Sequence, residues 1–313
     1  MVEDLFQATI VISVLAATIR IATPILLTAL GETVAQRSGV YNMGLEGTML
    51  MGAFAAFIGT YQTGSQGAGV LAGAAMGALM STIFAFMVIT LRIEQIVTGL
   101  ALNLLGAGLS TFWLRTAFAE QSVTPTIAFM GAAPIPYLEG IPWLGPILFR
   151  QGLLTYLAFL AVPLVWFFLF RTRFGLELRC IGENPKALDT KGLSVQGRRY
   201  AAVIFGGAMA GLGGAFLTVG SSARFVPDMT AGRGWLALVI VIAGVWRPGY
   251  VLTAALFFSF LDALQLQIQG IGINLPHQIL LALPYIVAIL SLALMRQNAK
   301  APAMLGTPYI RDR

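Results

Sequence analysis

The sequence predicts an all-α polytopic membrane protein with about eight to ten transmembrane helices, and three observations point there. Apolar residues fill 58% of its 313 positions and charged residues only 10%. Soluble domains carry about 25% charged residues, and so little charge cannot cover a water-facing surface. The apolar residues fall in runs long enough to cross the roughly 30 Å of membrane hydrocarbon, which takes about 20 helical residues. The 35 glycines suit helices that approach closely on small residues, because lipid supplies no hydrophobic drive between them. A net charge of +6 would suit nucleic acid if the basic residues shared one face or run. They are spread between the apolar segments instead, so membrane lipid is the expected surrounding and no nucleic-acid partner is expected.

Nine apolar segments follow in order, at about 5–30, 40–61, 67–91, 95–117, 152–170, 199–220, 235–246, 249–268 and 276–295. The first begins Met1-Val2-Glu3-Asp4, acidic where a cleavable signal peptide is basic, so it reads as a span. The seventh, Trp235 to Trp246, is short for a full crossing. It reads either as a half-helix or as continuous with the eighth through Arg247-Pro248-Gly249. Two connections are long. Residues 118–151 hold Pro125, Pro134, Pro136, Pro142 and Pro146 and read as an external loop; residues 171–198 are polar and basic. No soluble domain interrupts the chain, so 1–313 reads as one transmembrane domain.

Basic loop residues set orientation, since cytoplasmic loops carry the excess of Lys and Arg. With 171–198 placed in the cytoplasm, fourteen of the nineteen Lys and Arg fall inside, among them Arg171, Arg173, Arg179, Lys186 and Lys191. The N-terminus is then external and the C-terminus cytoplasmic.

Within 171–198, Asn184 suits a helix N-cap, Pro185 the first helical position and Gly192 the stop, which predicts a short helix over 185–191. A small rigid helix between two spans is either an ordinary connector or a lever that passes motion to a partner. Further upstream, Gly31 to Gly47 breaks an apolar region with glycines and places Asn42 and Glu46 one helical turn apart. A carboxylate at such depth is expensive unless it faces the protein interior. It either lines a pathway or ties structure together through backbone amides or Arg37. Asn103, Asp262 and Gln265 are the other candidate pathway residues, because a neutral, hydroxyl-rich solute needs amides and hydroxyls; each also suits plain interhelical hydrogen bonding. The repeats Gly69, Gly73, Gly77 and Gly207, Gly211 read as close-packing seams.

Several chemistries have no constellation here. Lys186, Lys191 and Lys300 follow Pro185, Thr190 and Ala299, so no Gly-Lys pair exists for a nucleotide phosphate-binding loop. No HExxH and no Gly-x-Ser-x-Gly elbow is present. Cys180 and His277 are single, which leaves no metal set, and no enzyme activity is expected. A stand-alone ion-coupled carrier or channel remains as an alternative, although its usual relay of intramembrane carboxylates is reduced here to Glu46 and Asp262.

The stretch Gly39-Val40-Tyr41-Asn42-Met43-Gly44-Leu45-Glu46-Gly47 resembles the signature of ATP-binding-cassette (ABC) importer permeases for nucleosides and simple sugars. The larger family includes branched-chain amino-acid permeases. Gly182-Glu183-Asn184-Pro185 with Gly192, the run Phe205 to Ala215, and Gly232 to Gly249 are similar to further blocks of that family, so the likeness covers about residues 25–295. The resemblance implies an ABC-importer permease fold and a substrate of the nucleoside type, with a simple sugar or a riboflavin-like ligand as alternatives. It implies that Glu183, Asn184, Pro185, Lys186, Ala187, Leu188, Asp189 and Gly192 form a coupling loop that docks on a separate ATPase subunit, where ATP and Mg bind; no cofactor is expected in this chain. It further implies a second permease subunit, a related chain rather than an identical copy, and an external lipoprotein or periplasmic substrate-binding protein, all at the cell inner membrane. Similar loops often carry two alanines where this chain has Ala187-Leu188, which suggests that Leu188 fits a particular ATPase groove.

Overall fold

The computed structural model describes residues 2–119, 125–270, 282, 286–290, 293 and 300–310. Among the described residues up to Gly270, ten α-helices follow one another: α1 Val2–Arg37, α2 Leu45–Thr63, α3 Gln66–Ala85, α4 Gln95–Ala117, α5 Leu153–Arg171, α6 Arg173–Glu183, α7 Pro185–Asp189, α8 Val195–Leu217, α9 Arg233–Ala243 and α10 Pro248–Gly270. Single π-turns extend α3 over Phe86–Thr90 and α8 over Thr218–Ser222. Six of these helices are long and apolar enough to cross a membrane. The expected ninth segment, 276–295, lies mostly outside the described residues, and His277 lies outside them too.

Capping residues sit where the chain changes direction. Ser65, Glu94, Thr172, Asn184 and Ser194 each accept an N–H from the first turn of the helix that follows, which satisfies donors no intrahelical partner can reach. Asn184 and Pro185 start α7 as their types predict, but the helix stops at Asp189, two residues before the expected end. The seventh apolar segment is a separate half-helix: α9 ends at Ala243, and α10 starts afresh at Pro248.

Small residues bring α2, α3 and α8 into close contact. A Cβ built on Gly52 would lie 2.5 Å from Gly211 Cα, and one on Gly77 would lie 2.8 Å from the same atom. Only glycine permits that approach, which explains the two four-residue repeats. Leu45, Met49, Leu50 and Met51 of α2 are almost wholly buried. Most of α2 is enclosed by protein, which leaves it little outer surface to make strongly apolar.

The connections sort to two ends. At one, the 118–151 loop runs over the end of α8: Ile127 N–H donates to Ala223 O and Met130 N–H to Val219 O, each at 2.9 Å. The Gln66 side chain donates to Phe129 O there as well. At the other end lie the α1–α2 turn, α6, α7 and the segment 300–310.

Candidate functional site

At the α6–α7 end, the chain leaves α1 at Arg37 and turns through Gly39, whose φ of +85° belongs to the left-handed region that glycine enters at no steric cost. It then runs back along α1 in non-helical form before α2 begins at Leu45. Irregular backbone at membrane depth is tolerated only where it is buried in protein or lines a cavity, and several polar groups of this stretch are paired with side chains of neighbouring helices. Glu32 of α1 is wholly buried; its Oε1 accepts from the Asn42 backbone N–H at 3.0 Å and from Gln36 Nε2 at 2.9 Å. The Asn42 side chain accepts from Gly44 N–H at 2.9 Å. Gln95, in the first turn of α4, accepts from Tyr41 N–H at 2.7 Å.

Asn103 completes the clasp from α4. Its Nδ2 donates to Met43 O at 2.9 Å and its Oδ1 accepts from Gly47 N–H at 2.8 Å. Close contact makes this possible, since a Cβ on Gly47 would lie 2.7 Å from Asn103 Cα. Asn103 stands eight residues into α4, about 12 Å along the helix axis at 1.5 Å per residue. That is close to half the thickness of the hydrocarbon core.

At this depth the second broken helix begins. Glu46, in the first turn of α2, points its carboxylate at the N-terminus of α9: Oε1 accepts from Gly232 N–H at 2.8 Å and Oε2 from Gly234 N–H at 2.7 Å. A helix N-terminus carries about half a positive charge and unsatisfied N–H groups, so a carboxylate there is held by both. Gly234 admits the close approach, because a Cβ on it would lie 2.5 Å from Glu46 N. Of the two readings open for Glu46, the geometry supplies the structural tie, made to backbone amides and not to Arg37. Arg37 donates through Nε to Trp246 O, beyond the far end of α9, while Trp246 Nε1 donates to Gln36 Oε1 at 2.6 Å. Both ends of the half-helix are therefore pinned to the α1–α2 junction.

Asn42, Glu46 and Asn103 thus meet in one place. Asp262 and Gln265 lie on α10, partly buried and buried respectively. In the 171–198 loop, the residue types divide by face. Glu183, Asn184, Lys186, Ala187 and Gly192 are exposed. Pro185 is buried, and Leu188 packs with Ile181 and Val195 in a small core. Leu188 is therefore not presented outward to a groove, and its bulk fills the protein's own interior. Asp189 accepts from the Tyr309 hydroxyl at 2.8 Å.

Sequence reasoning passed over Glu32, Gln36, Trp246 and Arg199. The first two lie in the very stretch that drew notice to Asn42 and Glu46, and a carboxylate late in an apolar span was the available signal. Arg199, near the start of α8, is 2% exposed and donates from Nε to Ser38 O at 3.1 Å.

The family model described as branched-chain amino acid transport system / permease component matches residues 14–295. The chain is 40% identical to the putative glucose ABC transporter permease protein TsgC13 of Haloferax volcanii, over 95% of this chain and 97% of that one. It is 37% identical to the nucleoside ABC transporter permease protein NupC of Lactococcus lactis, over 93% and 95%. It is 36% identical to the guanosine ABC transporter permease protein NupQ of Bacillus subtilis, over 95% and 96%. The last two species also hold more distant relatives, NupB at 25% and NupP at 27% identity, also described as nucleoside and guanosine ABC transporter permease proteins. No solved structure matches the chain.

Proposed function

From the membership of this chain in the branched-chain amino acid transport system / permease component family, we propose that it is the nucleoside-conducting permease subunit of an importer driven by a separate ATPase. The observation that carries the substrate is the pair of relatives described as nucleoside and guanosine permeases, matched nearly end to end. The site chemistry agrees: the carboxylate at mid-depth has both oxygens on backbone amides, so it offers no fixed counter-charge, and a nucleoside needs none. A second reading, a simple sugar, is favoured by the relative described as a putative glucose permease.

The exposed face of α7, with Lys186, Ala187 and neighbouring Glu183, is the surface offered to the ATPase, which would hold ATP and Mg. Paired permeases of unequal similarity in two species support a second, non-identical permease subunit. Substrate would arrive from an external binding protein. The orientation is C-terminus in, at the cell inner membrane, because the basic residues of 171–198 lie at the α7 end; an impermeant amine reagent added to intact cells should leave Lys186 and Lys191 unlabelled.

The function is tested in proteoliposomes holding both permease subunits, the ATPase and the binding protein. ATP-dependent uptake of radiolabelled guanosine, undiminished by excess glucose, is the expected result. Uptake of glucose and not guanosine would move the assignment to sugars, and uptake by this chain alone on an ion gradient would end it.

A further inference from the structure

We propose that residues 302–309 form a strap that ties the ATPase-docking helix to the turn beneath the broken-helix junction, so that displacement of α7 is delivered to the mid-membrane site. The segment makes hydrogen bonds to three elements in turn. Against the α6–α7 corner, Met304 N–H donates to Gly182 O at 2.8 Å and Ala303 N–H lies 3.4 Å from Glu183 Oε2. Against the α1–α2 turn, Gly306 N–H donates to Gly39 O at 3.1 Å. Against α8, Thr307 O accepts from Arg199 Nη1 at 3.1 Å. The chain then returns to α7, where the Tyr309 hydroxyl donates to Asp189 Oδ2 and the ring packs on the core that holds Leu188.

Two features set this apart from a tail lying on a surface. Arg199 is a buried guanidinium that holds the strap at Thr307 and the turn at Ser38 at once, and a buried charge is costly to leave without its acceptors. Both anchor points also abut moving parts of the proposed cycle. Gly39 stands three residues from Asn42, whose N–H binds Glu32, and four further residues lead to Glu46 and α9. Coupling between separate sites requires a contiguous element that both sites bias. Here residues 306–309 join Asp189 to Gly39, through the Tyr309 hydroxyl at one end and the Gly306 backbone N–H at the other.

The inference rests on the docking reading for α7, and the experiment separates the two. The complete transporter is reconstituted with wild-type permease, with Tyr309→Phe, and with a chain ending at Ala301. Three quantities are measured: ATPase retained on the permease, ATP hydrolysed, and guanosine taken up per ATP. Failure of the ATPase to co-purify with wild type would defeat the docking reading itself. With docking intact, the strap predicts that Tyr309→Phe keeps ATPase binding and hydrolysis while uptake per ATP falls roughly 2- to 10-fold, the equilibrium worth of one ordinary, part-exposed hydrogen bond. The shortened chain should fall further. A structural role alone would lower hydrolysis and uptake together and leave their ratio unchanged. An unchanged ratio in Tyr309→Phe, or loss of the ATPase along with uptake, would overturn the strap.

Discussion

Replacing Glu46 with Gln asks whether the carboxylate is what holds α9 at mid-depth. Each oxygen accepts one N–H, from Gly232 at 2.8 Å and Gly234 at 2.7 Å. Gln keeps one carbonyl oxygen and turns an NH2 group toward the other amide, so one bond is lost and a donor is left facing a donor. A hydrogen bond to a charged group is worth about 1.5–3 kcal/mol, and a negative charge at a helix N-terminus adds ~0.3–1 kcal/mol. The combined local loss is about 2–4 kcal/mol, which at tenfold per 1.4 kcal/mol makes opening of the first turn of α9 roughly 30- to 1,000-fold more frequent. Hydrogen exchange read by mass spectrometry on peptides spanning 230–240 measures that directly. Peptides from 250–260 of α10 serve as the internal control, because α10 makes no contact through Glu46 oxygens. Exchange in 230–240 within about threefold of wild type would refute the tie as an energetic element.

Further outcomes follow from the same geometry. Asn103→Ala removes two bonds between α4 and the 43–47 turn at about 1 kcal/mol each; the thermal midpoint of purified protein should fall by several degrees, and no change would count against the clasp. Gly211→Ala brings a Cβ to 3.0 Å from Gly77 Cα, and overpacking of that kind costs roughly 1–3 kcal/mol. Gly108→Ala meets nothing within 4 Å and should leave the midpoint unchanged or slightly raised, so equal effects of the two substitutions would refute the seam. Ala187→Arg lies on the exposed face of α7 and should abolish ATPase co-purification at an unchanged midpoint. Leu188→Ala empties part of a small core and should instead lower the midpoint, by roughly 2–4 kcal/mol in stability; the reverse pattern would place Leu188 in the ATPase groove after all.

Composition and apolar length carried the fold because the bilayer admits few solutions: a chain with too little charge to cover its surface, and with apolar runs of about 20 residues, crosses as helices. The glycine repeats were readable for a related reason. Gly77 and Gly211 bring backbones together in a way no other residue allows, and that requirement is local to the positions themselves. The extent of α2 was not legible. The apolar run from about 40 onward hides the fact that 38–44 is non-helical, because the ties that permit this come from Glu32, Gln95 and Asn103, far apart in sequence. Partners across such separations leave no periodicity to read. Leu188 was misjudged for the same reason. A five-residue helix shows too little pattern to reveal which side meets the protein, and the residues that bury Leu188, Ile181 and Val195, belong to other helices.

The two broken helices explain why a carboxylate stands so far inside an apolar chain. A half-helix that starts in the middle of a membrane presents unpaired N–H groups and half a positive charge to a medium that solvates neither. Left open, that terminus would favour an anion. Glu46 closes it from within the same chain, taking Gly232 and Gly234 together, while Gln36 and Arg37 fix the far end of α9 through Trp246. The junction thereby becomes one rigid body with α1 and the start of α2. A body so pinned cannot rearrange by small independent shifts of its parts. It can only be moved as a unit from its base, where Ser38 and Gly39 meet Arg199 and the segment that returns from α7.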